Sequence, residues 1–385
     1  MKIPYSKVVC DGNELVYVKE VLESGWLTTA GKVKILEDRF AKTVGVKHAV
    51  AVNSCTAAMH LTVEAAGIGQ GDKVFVPVMT FTATAEIIRY MGADPVFLDV
   101  DYGTSLITPD ILKISILANP NVKTLIVVHY GGQPAEMLGE NGLLSICKRN
   151  GIQLIEDAAH AFPSHEGKHM IGSLGKSTCF SFYANKTITT GEGGMLCTND
   201  DEIASRARIM RLHGINRDIW NRYTGTKPDW EYDVVAPGFK YNMPDLNAAV
   251  GLAQLERAEE FRKGRQRCAE YYFKELADIE CIDLPFLRVK MEDHAWHLFS
   301  IVLKPEAPFN RNVFIEKMSE NGIGTSVHYK PLHRMKYYRE RYCLKNEDYP
   351  DAEKRWQGCV SLPIYPSLSY EELGFICTVI HKLLR

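Results

Sequence analysis

VKTLIVVHYGGQPAEMLGENGLLSICKRNGIQLIED, residues 122–157, reads as two apolar runs on either side of a segment suited to a helix. Val122 to Tyr130 and Ile152 to Asp157 are strand-like, and Glu140 to Gly151 is the helical candidate between them. Strands apolar on both faces that alternate with helices argue for parallel pairing under a cover of helices. The same unit recurs through the first half. HAVAVNS from His48, KVFVPV from Lys73, DPVFLDVD from Asp94 and STCFSFY from Ser177 are further strand candidates, and TAAMHLTVEAAG from Thr56 and TATAEIIRYMG from Thr82 are further helices. The expected fold class is α/β, built on a mainly parallel sheet. In such sheets the ligand sits at the carboxyl ends of the strands. The polar residues closing these runs are Asn53-Ser54, Thr80-Phe81, His129-Tyr130, Glu156-Asp157 and Tyr183 to Lys186, and they are expected to gather along one edge.

A second region begins near Asn242. Pro244 can occupy the first turn of a long helical stretch, DLNAAVGLAQLERAEEFRKGRQRCAEYYFKELAD. Beyond about Cys281, strand-like HLFSIVLK, helical NVFIEKMSENG and helical EELGFICTVIHKLL indicate a smaller C-terminal α/β domain. The expected division is a large domain over 1–255, including the N-terminal segment, and a small one over 256–385.

Composition narrows the function classes. With 46% hydrophobic residues, 24% charged residues and a formal net charge of −2 over 385 residues, the chain is an ordinary globular protein without the basic surplus of a nucleic-acid binder. The N-terminus lacks a signal-peptide core and no later apolar run approaches a bilayer span, so no membrane association is expected and the cytoplasm is the expected address. Ten cysteines include no C-x-x-C pair, which predicts free, mostly buried thiols.

Three residue groups carry chemistry. Ser54, Cys55 and Thr56 follow a strand and open a helix, where free amides, hydroxyls and the positive end of the helix dipole favour a phosphate; the same pattern also serves as an ordinary N-cap. Asp157 brings a carboxylate to the sheet edge, where a protonated pyridine nitrogen or a capped helix would satisfy it. Lys186 stands in a polar turn after STCFSFY and before the Gly-Glu-Gly-Gly cluster, and a lysine partly removed from water and near cationic groups can form an imine. His160, His165 and His169 with Asp157 do not read as a metal site, because SHEGKH looks like a turn between two short strands; no metal is expected. A phosphate seat, an aromatic face at Phe81, an acid at Asp157 and an imine-forming lysine together describe pyridoxal phosphate. No G-x-G-x-x-G follows the first strand, which argues against a nicotinamide enzyme.

SGWLTTAGKVKILE, NSCTAAMHL, VPVMTFTATA, PVFLDVD, VHYGGQPAEM, IEDAAHAFPS, SFYANKTITTGEGGML, RLHGI, PGFKYNMPDLNAAVGLAQL, HAWHLFSIVL, GIGTSVHYKPLH and SLPIYP run in order along the whole chain. In these stretches it resembles the DegT/DnrJ/EryC1/StrS family of sugar aminotransferases. That resemblance implies the type I fold of pyridoxal-phosphate-dependent transferases, with a seven-stranded sheet and a homodimer with shared active sites. It implies that Lys186 bonds covalently to the cofactor, Asp157 pairs with the pyridine nitrogen, Phe81 stacks on the ring and His160 lies near the phenolic oxygen. Ser54, Cys55, Thr56 and Ser181 would contact the phosphate, joined by Asn242 of the neighbouring subunit. Asn at 242, where many relatives carry Arg, is similar to the branch that includes the enzyme of the 4-amino-4-deoxy-L-arabinose lipid A pathway, although Lys330 and Pro331-Leu332 are shared more widely. Trp26, Thr28, His328 and Tyr329 are substrate candidates. Because dehydratases of the family carry histidine in place of the lysine, Lys186 implies amino transfer from L-glutamate to a nucleotide-linked keto-sugar, at C4 ahead of C3. A binding or regulatory protein that kept the fold without turnover is the competing reading.

Overall fold

A computed structural model describes residues 1–216 and 232–385. The chain opens with α1 (Glu14–Ser24) and α2 (Gly31–Val44), and then alternates strand and helix: β1 (His48–Val52), α3 (Cys55–Ala65), β2 (Lys73–Pro77), α4 (Ala83–Tyr90), β3 (Asp94–Leu98), α5 (Pro109–Ala118), β4 (Thr124–Val128), α6 (Leu143–Arg149) and β5 (Gln153–Asp157). A two-stranded ribbon follows, β6 (His165–Glu166) and β7 (His169–Met170), so SHEGKH holds strand residues on both sides of a turn at Gly167-Lys168. The sheet is completed by β8 (Ser177–Ser181) and β9 (Gly194–Thr198), and α7 (Asp201–Met210) follows.

Seven strands form one sheet in the order β1-β9-β8-β5-β4-β2-β3. Only β9 runs against its neighbours, pairing antiparallel with both β1 and β8, while the remaining pairs are parallel. All five residues of β4 are buried, as a strand covered by helices on both faces requires. Burying each of its Leu, Ile and Val side chains contributes roughly 1.5–3 kcal/mol. The other six strands run in one direction, so their carboxyl ends share an edge, and the amino end of β9 lies among them.

The long helical stretch expected from Asp245 is instead two helices, α8 (Asp245–Glu256) and α9 (Ala258–Glu275). The break is Arg257, whose backbone leaves helical geometry at φ −112°, ψ 9° and whose guanidinium is tied to Asp11 and Glu260. Pro244 does not enter the first turn; it stands before it at φ −78°, ψ 155°. Asp245, next in sequence, is buried and accepts from the amides of Ala30 (2.8 Å), Lys32 (3.0 Å) and Val33 (3.0 Å), so it caps α2 across the chain.

A second, antiparallel sheet joins β10 (Ile282–Asp283), β11 (Phe299–Leu303) and β12 (Cys359–Leu362). Around it pack α9, α10 (Arg311–Glu320) and, after α11 (Lys336–Tyr342) and α12 (Pro350–Gly358), the closing α13 (Tyr370–Leu384). The extreme N-terminus belongs to this cluster: Ile3 is buried in it and exchanges backbone hydrogen bonds with Gly322 and Gly324. Leu332, Tyr338, Tyr349 and Ala352 pack instead into the core of the large sheet. Seven of the ten cysteines are buried and all are unpaired. Among the described residues no helix is long and apolar enough to cross a membrane.

Candidate active site

At the shared edge of the large sheet lies a cavity of ≈ 490 Å³, lined by the ends of β1, β5 and β8 and by residues from the far end of the chain. Lys186 enters it from a tight turn. Its amide donates to the Tyr183 carbonyl (2.9 Å), and the Phe182 amide and carbonyl bond Gly193 (2.9 Å) and Thr190 (3.0 Å), which pins both ends of the turn. The lysine Nζ lies 3.5 Å from Nε2 of His297. Removal from water pushes the amine's pKa down to about 8; Cys55 and Asp157 pull it upward, and the Arg265 guanidinium adds to the fall.

Asp157 closes β5 and points into the same cavity. Its Oδ2 accepts from the Thr84 hydroxyl (2.8 Å) and its Oδ1 from the Ala159 amide (3.1 Å). Burial raises its pKa, against the pull of Thr84, Ala159, Lys186 and His129. The closing residues gather along one edge of the sheet as expected, but not all of them reach the cavity. Glu156 and His129 are buried away from the cavity, bonded to each other at 2.8 Å, because successive side chains of a strand leave opposite faces. His129 Nδ1 accepts from the Ala135 amide (3.0 Å), so its hydrogen is on Nε2 and points at Glu156.

His160 follows β5 by three residues. Its Nδ1 accepts from the Gly131 amide (3.2 Å), which leaves the hydrogen on Nε2, 2.9 Å from the Tyr329 hydroxyl. Tyr329 therefore accepts that bond, and its own hydrogen is free for the cavity. His328 also lines the cavity, with Nδ1 2.9 Å from the Ser361 hydroxyl. Phe81 is the exposed wall, with its ring centroid 6.0 Å from that of Tyr329.

The floor is the start of α3. Ser54 Oγ accepts from the Ala57 amide (3.1 Å), so this hydroxyl already serves as the helix cap. Among the described residues the amides of Cys55 and Thr56 find no acceptor and remain available to an anion. Gly194 makes the floor possible. It sits opposite both Val52 and Ser181, and a Cβ there would lie 2.4 Å from the Ser54 carbonyl carbon and 2.5 Å from the Cys55 nitrogen. Burial pushes the thiols of Cys55 and Cys179 up, so neither is an activated nucleophile.

Ser54, Cys55, Thr56, Phe81, Asp157, His160, Ser181, Lys186, His328 and Tyr329 thus share one cavity. Trp26, Thr28 and Asn242 do not line it. They meet elsewhere: Asn242 Nδ2 donates to the Thr29 hydroxyl (2.7 Å), the Trp26 indole reaches the Thr29 carbonyl (3.4 Å), and the Thr28 carbonyl accepts from the Asp245 amide (3.3 Å).

The DegT/DnrJ/EryC1/StrS aminotransferase family model matches residues 9–381. The chain belongs to this family. The spore coat polysaccharide biosynthesis protein SpsC of Bacillus subtilis is 41% identical over the whole chain and 97% of its own length. Among solved structures, Helicobacter pylori PseC, an aminotransferase of pseudoaminic acid biosynthesis, superposes with a TM-score of 0.90 at 26% identity, covering 100% of this chain and 99% of its own. The PLP-form of Spr1654 from Streptococcus pneumoniae, a putative sugar aminotransferase, gives 0.89 at 29% identity, with 100% of both chains covered.

As a member, this aminotransferase depends on pyridoxal phosphate, and its cavity fits that group. The two unpartnered amides at the start of α3 suit a phosphate. The buried Asp157 carboxylate has two hydrogen bonds and, among the described residues, no ion pair, so it suits a cationic ring nitrogen. His297 and Arg265 are not marked as site residues by the sequence pattern. HAWHLFSIVL was recognised as a motif, but no spacing rule marks which of its two histidines meets the lysine.

Proposed function

We propose that this aminotransferase moves an amino group from L-glutamate to the C4 keto group of a nucleotide-linked keto-sugar, on the way to a surface polysaccharide or glycosylated product. The observation that carries the proposal is the meeting of the Lys186 amine, the unpaired Asp157 carboxylate and the free α3 amides in one cavity. SpsC and PseC, named for polysaccharide and sugar biosynthesis, support the substrate class.

In this reading the Cys55 and Thr56 amides, with Ser181, hold the phosphate, and Asp157 holds the ring nitrogen protonated. When bound, pyridoxal phosphate supplies an electron sink. Lys186 Nζ, neutral above about pH 8, takes the proton from the α carbon of the donor and returns it on the other side of the exchange. His160 donates Nε2–H to the Tyr329 hydroxyl, which presents its own hydrogen toward the cavity. We further propose a homodimer in which the ridge of Trp26, Thr28 and Asn242 faces the cavity of a second copy, with Asn242 reaching the phosphate there. The break at Arg257 is the proposed boundary between the large and small domains.

Incubation with glutamate and UDP-, dTDP- and GDP-linked 4-keto and 3-keto sugars tests this reading. A 4-amino product located by mass and NMR is expected; a 3-amino product overturns the position, and no product from any acceptor overturns the substrate class.

A further inference from the structure

Arg265, on α9, is only 3% exposed, and every hydrogen-bond partner it has among the described residues is a backbone carbonyl. Two carbonyls belong to the lysine turn, Asn185 (3.3 Å) and Lys186 (3.5 Å). Three belong to the facing segments, Ile364 (2.8 Å), Trp296 (3.4 Å) and His297 (3.5 Å). Both partners in the contact between Lys186 Nζ and His297 Nε2 are therefore held from behind by one guanidinium. Among the described residues the His297 ring has no other hydrogen bond, its Nδ1 being buried without a partner. The two terminal nitrogens of the planar guanidinium span this set.

We propose that Arg265 is a positioning residue for the amino transfer, clamping the Lys186 turn to the His297 segment so that the amine stays against the imidazole, and acting on that amine as a fixed positive charge. The groups facing the amine are Cys55 at the start of α3, Asp157 and His160 at the end of β5, His297 before β11, His328, and Arg265. Cys55 and Asp157 favour the ammonium form. The three histidines are pushed down, first by burial and then by Lys186, so they are neutral at working pH. Burial also lowers Arg265, to about 10, which leaves it charged at neutral pH. A nearby positive charge disfavours the ammonium, so removing it raises the lysine's pKa and reduces the neutral fraction at any fixed pH.

The test is the reactivity of Lys186 in the full-length chain freed of cofactor. Acetylation by acetic anhydride is followed by peptide mass spectrometry across pH in the wild type, in Arg265→Gln, which keeps a hydrogen-bonding group without the charge, and in Arg265→Lys, which keeps the charge. The midpoint is expected to rise by on the order of 1 pH unit in Arg265→Gln and to stay near wild type in Arg265→Lys. An unmoved midpoint in Arg265→Gln, whatever its activity, overturns the proposal, as does an equal shift in both variants. Should Arg265→Gln fail to melt as a folded protein, Arg265→Lys still decides, because a shifted midpoint in that variant is equally fatal.

Discussion

Glu156 and Asp157 are adjacent carboxylates on one strand, and they live in opposite circumstances. Glu156 has a partner for each oxygen: Oε1 accepts from the Gly175 amide and the Thr178 hydroxyl (both 2.7 Å), and Oε2 accepts from His129. Asp157 has two donors and, among the described residues, no ion pair, beside a cavity that already holds an amine. A closed network such as that of Glu156 fixes the position of the sheet, and the stability it lends is lost when a member is removed. An incomplete one keeps its interaction energy for a ligand.

The comparison is sharpened most by Lys186→Ala. Turnover is expected to fall on the order of 10⁴-fold or more, with loss of the visible absorption band of the cofactor-loaded enzyme; an active variant breaks the assignment of the open side. Asp157→Asn is expected to lower kcat on the order of 10²-fold without destabilising the cofactor-free protein. The sign follows from burial. An acid whose folded pKa is raised contributes most to stability below its unfolded value, near 3.8, and loses that contribution as pH rises through the folded pKa. Asn has no such loss, so the melting temperature of Asp157→Asn relative to wild type should increase with pH, and a decrease would contradict this account.

Glu156→Gln should reverse the pattern. Either an amide hydrogen meets the Nε2–H of His129, or His129 changes tautomer and meets the Ala135 amide donor to donor. The expected cost is about 1–3 kcal/mol in denaturant unfolding, with turnover per folded molecule unchanged. A Glu156→Gln variant that is stable but inactive would erase the distinction between the two faces. The smallest effect belongs to Ser54→Ala, which removes a cap worth about 1 kcal/mol. Its cofactor affinity should stay within about threefold, and a larger drop would place the Ser54 hydroxyl on the phosphate.

Short runs apolar on both faces, alternating with segments suited to helices, made the strands and helices of the first half legible, because each unit is defined by its own local sequence. Lys186, Asp157 and the start of α3 were legible for a related reason: each closes or opens such a unit at the edge where parallel strands deliver their ends. The opposite directions of Glu156 and Asp157 were not read, although strand alternation contains them. Strand β9 was hidden by the glycines at its start, which read as a turn. The break at Arg257 coincides with a tertiary tie to Asp11, which no local pattern carries. His297 and Arg265 come from segments that fold against the lysine only when the second sheet is in place, so the contact between them is a property of the assembled chain.

The placement of β9 also has a consequence during synthesis. HAVAV is among the first strands to leave the ribosome, yet its strand partner among the described residues, GMLCT, emerges after the four parallel strands β2 to β5 have been made. Until then β1 is an apolar edge with unpaired amides, the kind of surface that invites pairing with another chain. Folding of the nascent protein therefore cannot finish with its first parallel units; the strand that starts at Gly194 closes the vulnerable edge and builds the cavity floor in the same step.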